Sequence, residues 1–526
     1  MGKFLTLSRL SFRALLSSVR FRGSKKAKAA GYTSIFLLGG ISVYVSGIYS
    51  FAAADMLAEI GAADSLVPLM AVVGCILAVI MTLWAASGFI FSGKDNDLML
   101  SLPVSAFTVM LSRITALYLE QLLFIGLFML TSGAAAAVHG WMTPAMAVGI
   151  IVGIVLLTFL TTLLTTIIAF IIAFITAKFP HHALFETILY FALFLLIIAG
   201  NFQMNRLPDL LSSDGKPFGD FPGVLFPFAW LRSALQGQLF SLIPLAACTF
   251  LPLLAVVWLF SSQYKKILSA LRSKSARSDY RLGALKTNRP LSALFRREVK
   301  RYFGTSVYFF NTGSGGVLLL VGAGYAAVKR ADFLPMLEAF GGMELFLPLT
   351  ALMIGFLAAT IDTTCVSISL EGRWLWILKE APIRPRTIFA GKILLNLLIA
   401  WPPVILSTAI LSVSYGVDPL SAGAVILLMM AFSLLISLMG LCINLLFPKL
   451  DAVSDAMVVK NSMSAVVSIF SGWVPVLLLT GGYFLLRQTI AFPAYCLIGT
   501  AALLLLSAAA GGWLRRVGEK KFLELD

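Results

Sequence analysis

The chain has 526 residues, of which 59% are hydrophobic and only 12% charged, and it carries a formal net charge of +16. Soluble globular chains carry about 25% charged residues, so the composition excludes a soluble fold and points to apolar surface buried in lipid. Three histidines exclude a His-rich metal centre, and Cys75, Cys248, Cys365, Cys442 and Cys496, without C-x-x-C spacing, read as small apolar helix residues.

Residues 1–30 carry eight Lys or Arg and no acid. They lack the apolar block and small-residue cleavage site of a secretory signal. Phe4, Leu7, Leu10, Leu15 and Leu16 alternate with Arg9, Arg13 and Arg20, the pattern of a basic amphipathic helix. Apolar runs follow at about 31–52, 67–92, 114–138, 145–177, 184–200 and 238–262, each near the ~20 residues that cross the hydrocarbon. These define a first half, 31–262. The loop at about 201–237 holds Asp209, Asp214, Asp220, the prolines Pro208, Pro222 and Pro227, and Phe218, Phe221, Phe226, Phe228 and Trp230. It reads either as an ordinary loop or as short helices in the outer interface, where Trp is at home.

The linker 263–304 holds 12 Lys or Arg. In its last part Leu291, Leu294, Phe295, Val299, Tyr302 and Phe303 fall near one helical face, and Arg296, Arg297, Lys300 and Arg301 fill the other. This predicts a helix lying in the membrane interface. Six further apolar runs follow at about 305–328, 344–369, 393–413, 421–446, 462–486 and 493–514, giving a second half, 305–514, and a tail, 515–526. The expected fold is an all-α polytopic membrane protein with about 12 transmembrane helices in two six-helix pseudo-repeats, each half preceded by an interfacial amphipathic helix. That helix is either a plain anchor or a mechanical element, and its repetition favours the second.

Alternating from a cytoplasmic N-terminus places 34 of the 40 basic residues inside; only Arg206, Lys216, Arg232, Lys329, Arg330 and Arg487 fall outside. The positive-inside rule therefore predicts both termini in the cytoplasm. The net charge is then a collar facing anionic membrane lipid and requires no nucleic acid.

Two stretches match without a gap at a spacing of 279 residues. Gly93-Lys94 aligns with Gly372-Arg373, Pro103-Val104 with Pro382-Ile383, Thr108-Val109 with Thr387-Ile388, and Ser112-Arg113-Ile114 with Gly391-Lys392-Ile393. Each copy lies between two apolar runs, as expected of a docking element rather than of core. A third repeated element follows the fourth span: Phe179-Pro180 in the first half and Phe447-Pro448 in the second. Proline ends a helix there by lacking the amide donor and constraining the residue before it.

Ser92–Ser105 followed by Arg113, and Ser369–Ile383 followed by Gly391-Lys392, resemble the first intracellular loop of ABC-2-type exporter permeases. The run 294–301, with Tyr308 and Asn311 after it, is similar to their interfacial elbow helix, and Phe447–Asp451 with Lys460–Ser462 to the second-half signature of the larger bacterial exporter permeases. The resemblance covers most of the chain. It implies that the loops at about 93–113 and 372–392 fold as coupling helices seated in a separate ATPase. The implied docking residues are Gly93, Lys94, Leu102, Pro103, Val104, Ser105 and Arg113 in the first copy. In the second they are Gly372, Arg373, Glu380, Pro382, Ile383, Arg384, Arg386 and Lys392. Arg296, Arg297, Glu298 and Arg301 would form the elbow. The copies differ: Ser101-Leu102 stands where Glu380-Ala381 stands, and Ser105 where Arg384 stands.

No G-x-x-x-x-G-K-[ST] phosphate loop occurs in the sequence. ATP and Mg²⁺ are therefore expected on a partner, an ABC ATPase present as two copies or a heterodimer, and no catalytic residue, metal ligand or cofactor is expected here. The expected activity is export of an amphipathic, lipid-like or peptide-like substrate across a bacterial plasma membrane. Charges within the spans are few. Glu120 and Glu186 lie near the cytoplasmic interface; Asp362, beside Thr360, Thr363 and Thr364, lies deeper. Asp362 is a candidate intramembrane polar site, for substrate or gating or for hydrogen bonds between helices. An ion-coupled secondary transporter with two six-helix halves is the alternative. The charged G-x-x-x-D-R-x-G-R-R loop that would support it is not supplied by Gly93–Asp97.

Overall fold

Backbone amides and carbonyls have no water to bond in a hydrocarbon layer, so long apolar runs satisfy them internally as helices. The computed structural model of the chain bears this out. It describes residues 6, 7, 9, 25–59, 61–91, 103–176, 182–202, 226–273, 289–339, 342–452 and 455–525, and among these there is no strand. Ten helices among the described residues are long and apolar enough to cross a membrane. The two other expected spans, 31–52 and 184–200, also fall on helices, so the chain is an all-α, multi-span membrane protein. It divides into two units, Met1–Asp279 and Tyr280–Asp526, parted within the basic linker.

The first unit comprises α1 (Lys25–Glu59), α2 (Leu66–Phe91), α3 (Ala106–Val138), α4 (Pro144–Thr176), α5 (His182–Phe202), the short α6 (Phe226–Leu235) and α7 (Leu242–Ser273). Ser105 starts α3 by accepting the Thr108 amide at 3.3 Å. The core forms where α2, α3 and α4 meet around Val67, Ala71, Ile125, Met129 and Leu157. α6 buries Phe228, Leu231 and Leu235 in that core, which gives a helical end to the loop expected at 201–237. Arg232 on α6 ties it to Asp64 at 2.5 Å.

The second unit comprises α8 (Pro290–Gly304), α9 (Ser306–Val328), α10 (Arg330–Ala339), α11 (Met343–Ala359), α12 (Thr364–Ser367), α13 (Leu375–Glu380) and α14 (Pro385–Tyr415). α15 (Pro419–Leu446), α16 (Asp455–Asn461), α17 (Met463–Leu486), α18 (Phe492–Trp513) and α19 (Glu519–Glu524) complete it. Proline opens α8, α14 and α15 at the position where its missing amide costs nothing. α14 begins 279 residues after α3, so the sequence repeat is kept in helix register.

The expected eighth span, 344–369, is not one helix. α11 stops at Ala359, Thr360–Thr363 leave the helical path, and the short α12 follows. Its counterpart in the first unit, α2, is continuous. No proline causes the break. Polar side chains substitute for the lost ladder, as irregular backbone at membrane depth requires. Asn396 Oδ1 accepts the Thr363 amide at 2.6 Å, and Asp362 Oδ1 accepts the Thr364 amide at 2.9 Å and the Cys365 amide at 3.2 Å.

Candidate functional site

The amphipathic helix α8 departs from its expected face in an informative way. Leu294 and Tyr302 of its apolar face are buried against the protein, but Glu298, one helical turn from each, is buried between them at 3% exposure. Burying a carboxylate demands a paired cation. Lys392, in the first turns of α14 and 1% exposed, supplies it. Its Nζ donates to Glu298 Oε1 at 2.9 Å, Glu371 Oε1 at 2.9 Å and the Ser367 carbonyl at 3.1 Å. An ammonium has three donors, and all three are matched.

Glu371 is the other half of this clamp. It lies in the 3₁₀ turn Ser369–Trp374, 2% exposed. Arg297 reaches it from α8 as a two-pronged pair, Nη1 to Oε1 at 3.0 Å and Nη2 to Oε2 at 2.6 Å, the geometry in which a guanidinium binds carboxylate best. Arg301 adds a contact to Glu371 at 2.9 Å and donates to the Leu370 carbonyl. Hydrogen bonding to Glu371 also holds the Arg297 guanidinium above its ordinary value, against partial burial. Two acids and three bases thus lock α8, the turn before α13 and α14 together.

The repeated Phe-Pro element closes the same site from another side. Asn444, near the end of α15, accepts the amides of Ile368 at 2.8 Å and Ser369 at 3.1 Å, and donates to Ser369 Oγ at 2.7 Å and Ser464 Oγ at 3.0 Å. Ser369 Oγ in turn accepts the Lys449 amide, just after Phe447-Pro448, at 2.9 Å. Gly372 bends the backbone at φ 53°, and a Cβ there would sit 3.3 Å from the Leu450 carbonyl. Elbow, loop and Phe-Pro turn, separate in the sequence, meet in one place.

What the clamp holds is a short projecting loop. Leu375 and Leu378 of α13 are buried, whereas Trp374, Trp376 and Ile377 are 59%, 58% and 49% exposed. Arg373 lies over the Trp374 ring at 6.0 Å. Glu380, Pro382, Arg384 and Arg386 are exposed, and Ile383 is half-buried. Arg296 is exposed on α8. The expected docking residues therefore divide: Lys392 and Gly372 are structural, and Arg373, Glu380, Pro382, Arg384 and Arg386 face outward. Sequence reading did not single out Trp374, Trp376 and Ile377.

In the first unit Gly93, Lys94 and Leu102 lie outside the described residues. Pro103 and Ser105 are exposed and Val104 is half-buried. Arg113, aligned with Lys392, is likewise buried, at 3%. Both halves thus bury a base at the same repeat position.

Deeper in each unit lies a polar node. In the second, Asp362 also accepts Ser468 Oγ at 2.5 Å and Thr364 Oγ1 at 2.7 Å. Asn396 continues the network to Ser437 Oγ at 2.7 Å. Gly440 makes room for it, since a Cβ there would strike both Asp362 oxygens. In the first unit the node is neutral. Gln121 donates to Thr82 at 2.7 Å and Thr165 at 2.8 Å, and accepts from Thr161 and Thr162, each at 2.9 Å. These contacts place Asp362 in a hydrogen-bond network that joins helices. The amides Gln121, Asn396 and Asn444 escaped a search confined to charges; an amide inside an apolar run was the signal.

Compared with models of known protein families, with curated proteins and with solved structures, the chain matches none.

Proposed function

We propose that the chain is the membrane subunit of an ATP-driven exporter of the ABC-2 type, working with a separate ATPase. The observation that carries this reading is the clamp built from Lys392, Glu298, Glu371, Arg297 and Arg301. A loop that only joined two spans would need no five-charge anchor with three of its charges buried. A loop that takes a load does, because force applied to Trp374, Trp376 and Ile377 passes through Glu371 and Lys392 into α8 and α14. Exposed Trp flanked by Arg is the composition that concentrates binding energy at protein interfaces. The sequence offers no phosphate-binding loop, so nucleotide hydrolysis falls to the partner.

In this reading the loop ends face the cytoplasm, where 34 of the 40 basic residues are predicted to lie, and the membrane is a bacterial plasma membrane. The cargo is amphipathic, lipid-like or peptide-like, in keeping with spans that carry few charges. The deciding experiment is mild solubilisation of the native complex. Copurification of an ATPase, and its loss on Trp376→Ser with the permease still inserted, supports the proposal. Retention of the ATPase by that variant counts against the docking face.

A further inference from the structure

We propose that residues 514–525 form a strap that sets the posture of the loop 375–386, with Phe522 as its positioning residue. Sequence alone presents this segment as a tail. In the structure it continues α18 through a π-helical turn, Leu514–Gly518, into α19. Such turns redirect a helix face and recur at functional sites.

The redirected face carries Leu514, Gly518 and Phe522, spaced by four and all buried. Phe522 is fully buried and meets Phe389 edge to face, centroids 5.6 Å apart. It joins a cluster with Leu375 and Leu378 of α13, Leu294 of α8 and Ile388 of α14. Two polar contacts then pin the loop at both ends. Lys379 Nζ, at the end of α13, donates to the Leu525 carbonyl at 2.5 Å, and Arg386, in the first turn of α14, pairs with Glu519 at 2.9 Å.

The division of labour follows from exposure. Arg386 is 60% exposed in its pair with Glu519, and a solvated ion pair holds weakly. Phe522 has no access to solvent, so it provides the seat and the ion pair the register. The inner face of α13 shares this buried cluster with the strap, leaving Trp374, Trp376 and Ile377 outward. A tail out of its seat would remove the floor under α13 while α8, α14 and the Lys392 clamp remain.

The inference deepens the docking reading of the loop, but its test uses the permease alone, so its failure and the failure of that reading are separate results. The test is hydrogen exchange on the full chain in nanodiscs. Phe522→Ala should raise amide exchange across 375–386 by about tenfold or more and leave 420–446 unchanged, as local rather than global opening requires. Phe522→Leu should restore most of the protection. Glu519→Arg should loosen the same amides, and adding Arg386→Glu should tighten them again. Unchanged exchange across 375–386 in Phe522→Ala, or an equal rise across 420–446, would overturn the strap.

Discussion

Lys392→Met is the sharpest test of the clamp. Methionine fills a similar volume but leaves Glu298 and Glu371, 3% and 2% exposed, without the cation they share. Glu371 keeps Arg297 at 2.6 Å and Arg301 at 2.9 Å, whereas Glu298 keeps only a 3.4 Å approach from Arg297. Removing one partner of a buried pair costs about 3–5 kcal/mol, most of it the stranded charge. Arg297→Ala removes a side chain 42% exposed and leaves Glu371 two cations, so it should cost only about 1–2 kcal/mol. Lys392→Met combined with Glu298→Gln should recover part of the loss, because the worst stranded carboxylate becomes neutral. Thermal unfolding of purified protein in one detergent ranks the four chains. The expected order from most to least stable is parent, Arg297→Ala, the double variant, Lys392→Met. Lys392→Met as stable as the parent, or no less stable than Arg297→Ala, would refute the reasoning.

Trp376→Ser changes an exposed side chain and should alter permease stability by about 0.5 kcal/mol or less, yet release the ATPase from the purified complex. Gly440→Ala should lower the unfolding temperature, at a cost of roughly 1–3 kcal/mol from forced repacking around Asp362, while Gly423→Ala on the same helix, with nothing within 4 Å of the added carbon, should be neutral or stabilising. His139 has both ring nitrogens facing acceptors, the Ala135 carbonyl at 2.9 Å and Asp55 Oδ1 at 3.1 Å, so the imidazolium is favoured and its value is raised, first by Ala135 and then by Asp55. That contribution to stability is present below the ordinary value of 6.5 and is lost as pH rises through the raised one. An NMR titration of labelled histidine should place His139 above 6.5, and Asp55→Asn should lower it; an unshifted titration would contradict the geometry.

Much of the fold was legible because hydrophobic run length acts residue by residue. Eleven of the twelve apolar runs fall on helices, the run at 344–369 being the broken one, and the 279-residue repeat reappears as the aligned starts of α3 and α14. The helix break at Thr360–Thr363 was not legible, because no Gly or Pro marks it and its cause lies on α14, α15 and α17, where Asn396, Gly440 and Ser468 sit. The clamp was half visible. Lys392 and Arg113 stood out by repetition, and Glu298 and Arg297 by their place in the amphipathic helix. That Glu298 turns inward depends on Lys392, 94 residues away, a pairing no local periodicity encodes. The strap escaped for the same reason: Phe522 finds Phe389 only across the packed unit.

The central claim is that this membrane subunit is driven by a separate ATPase gripped at two repeated loops. Native mass spectrometry of the complex, purified without chelators or high salt, tests it most directly. The account predicts one copy of this chain with two ATPase subunits, identical or paired, and no ATP hydrolysis by the chain alone. An assembly with one ATPase subunit, two copies of this chain per ATPase dimer, or no nucleotide-hydrolysing partner would contradict it.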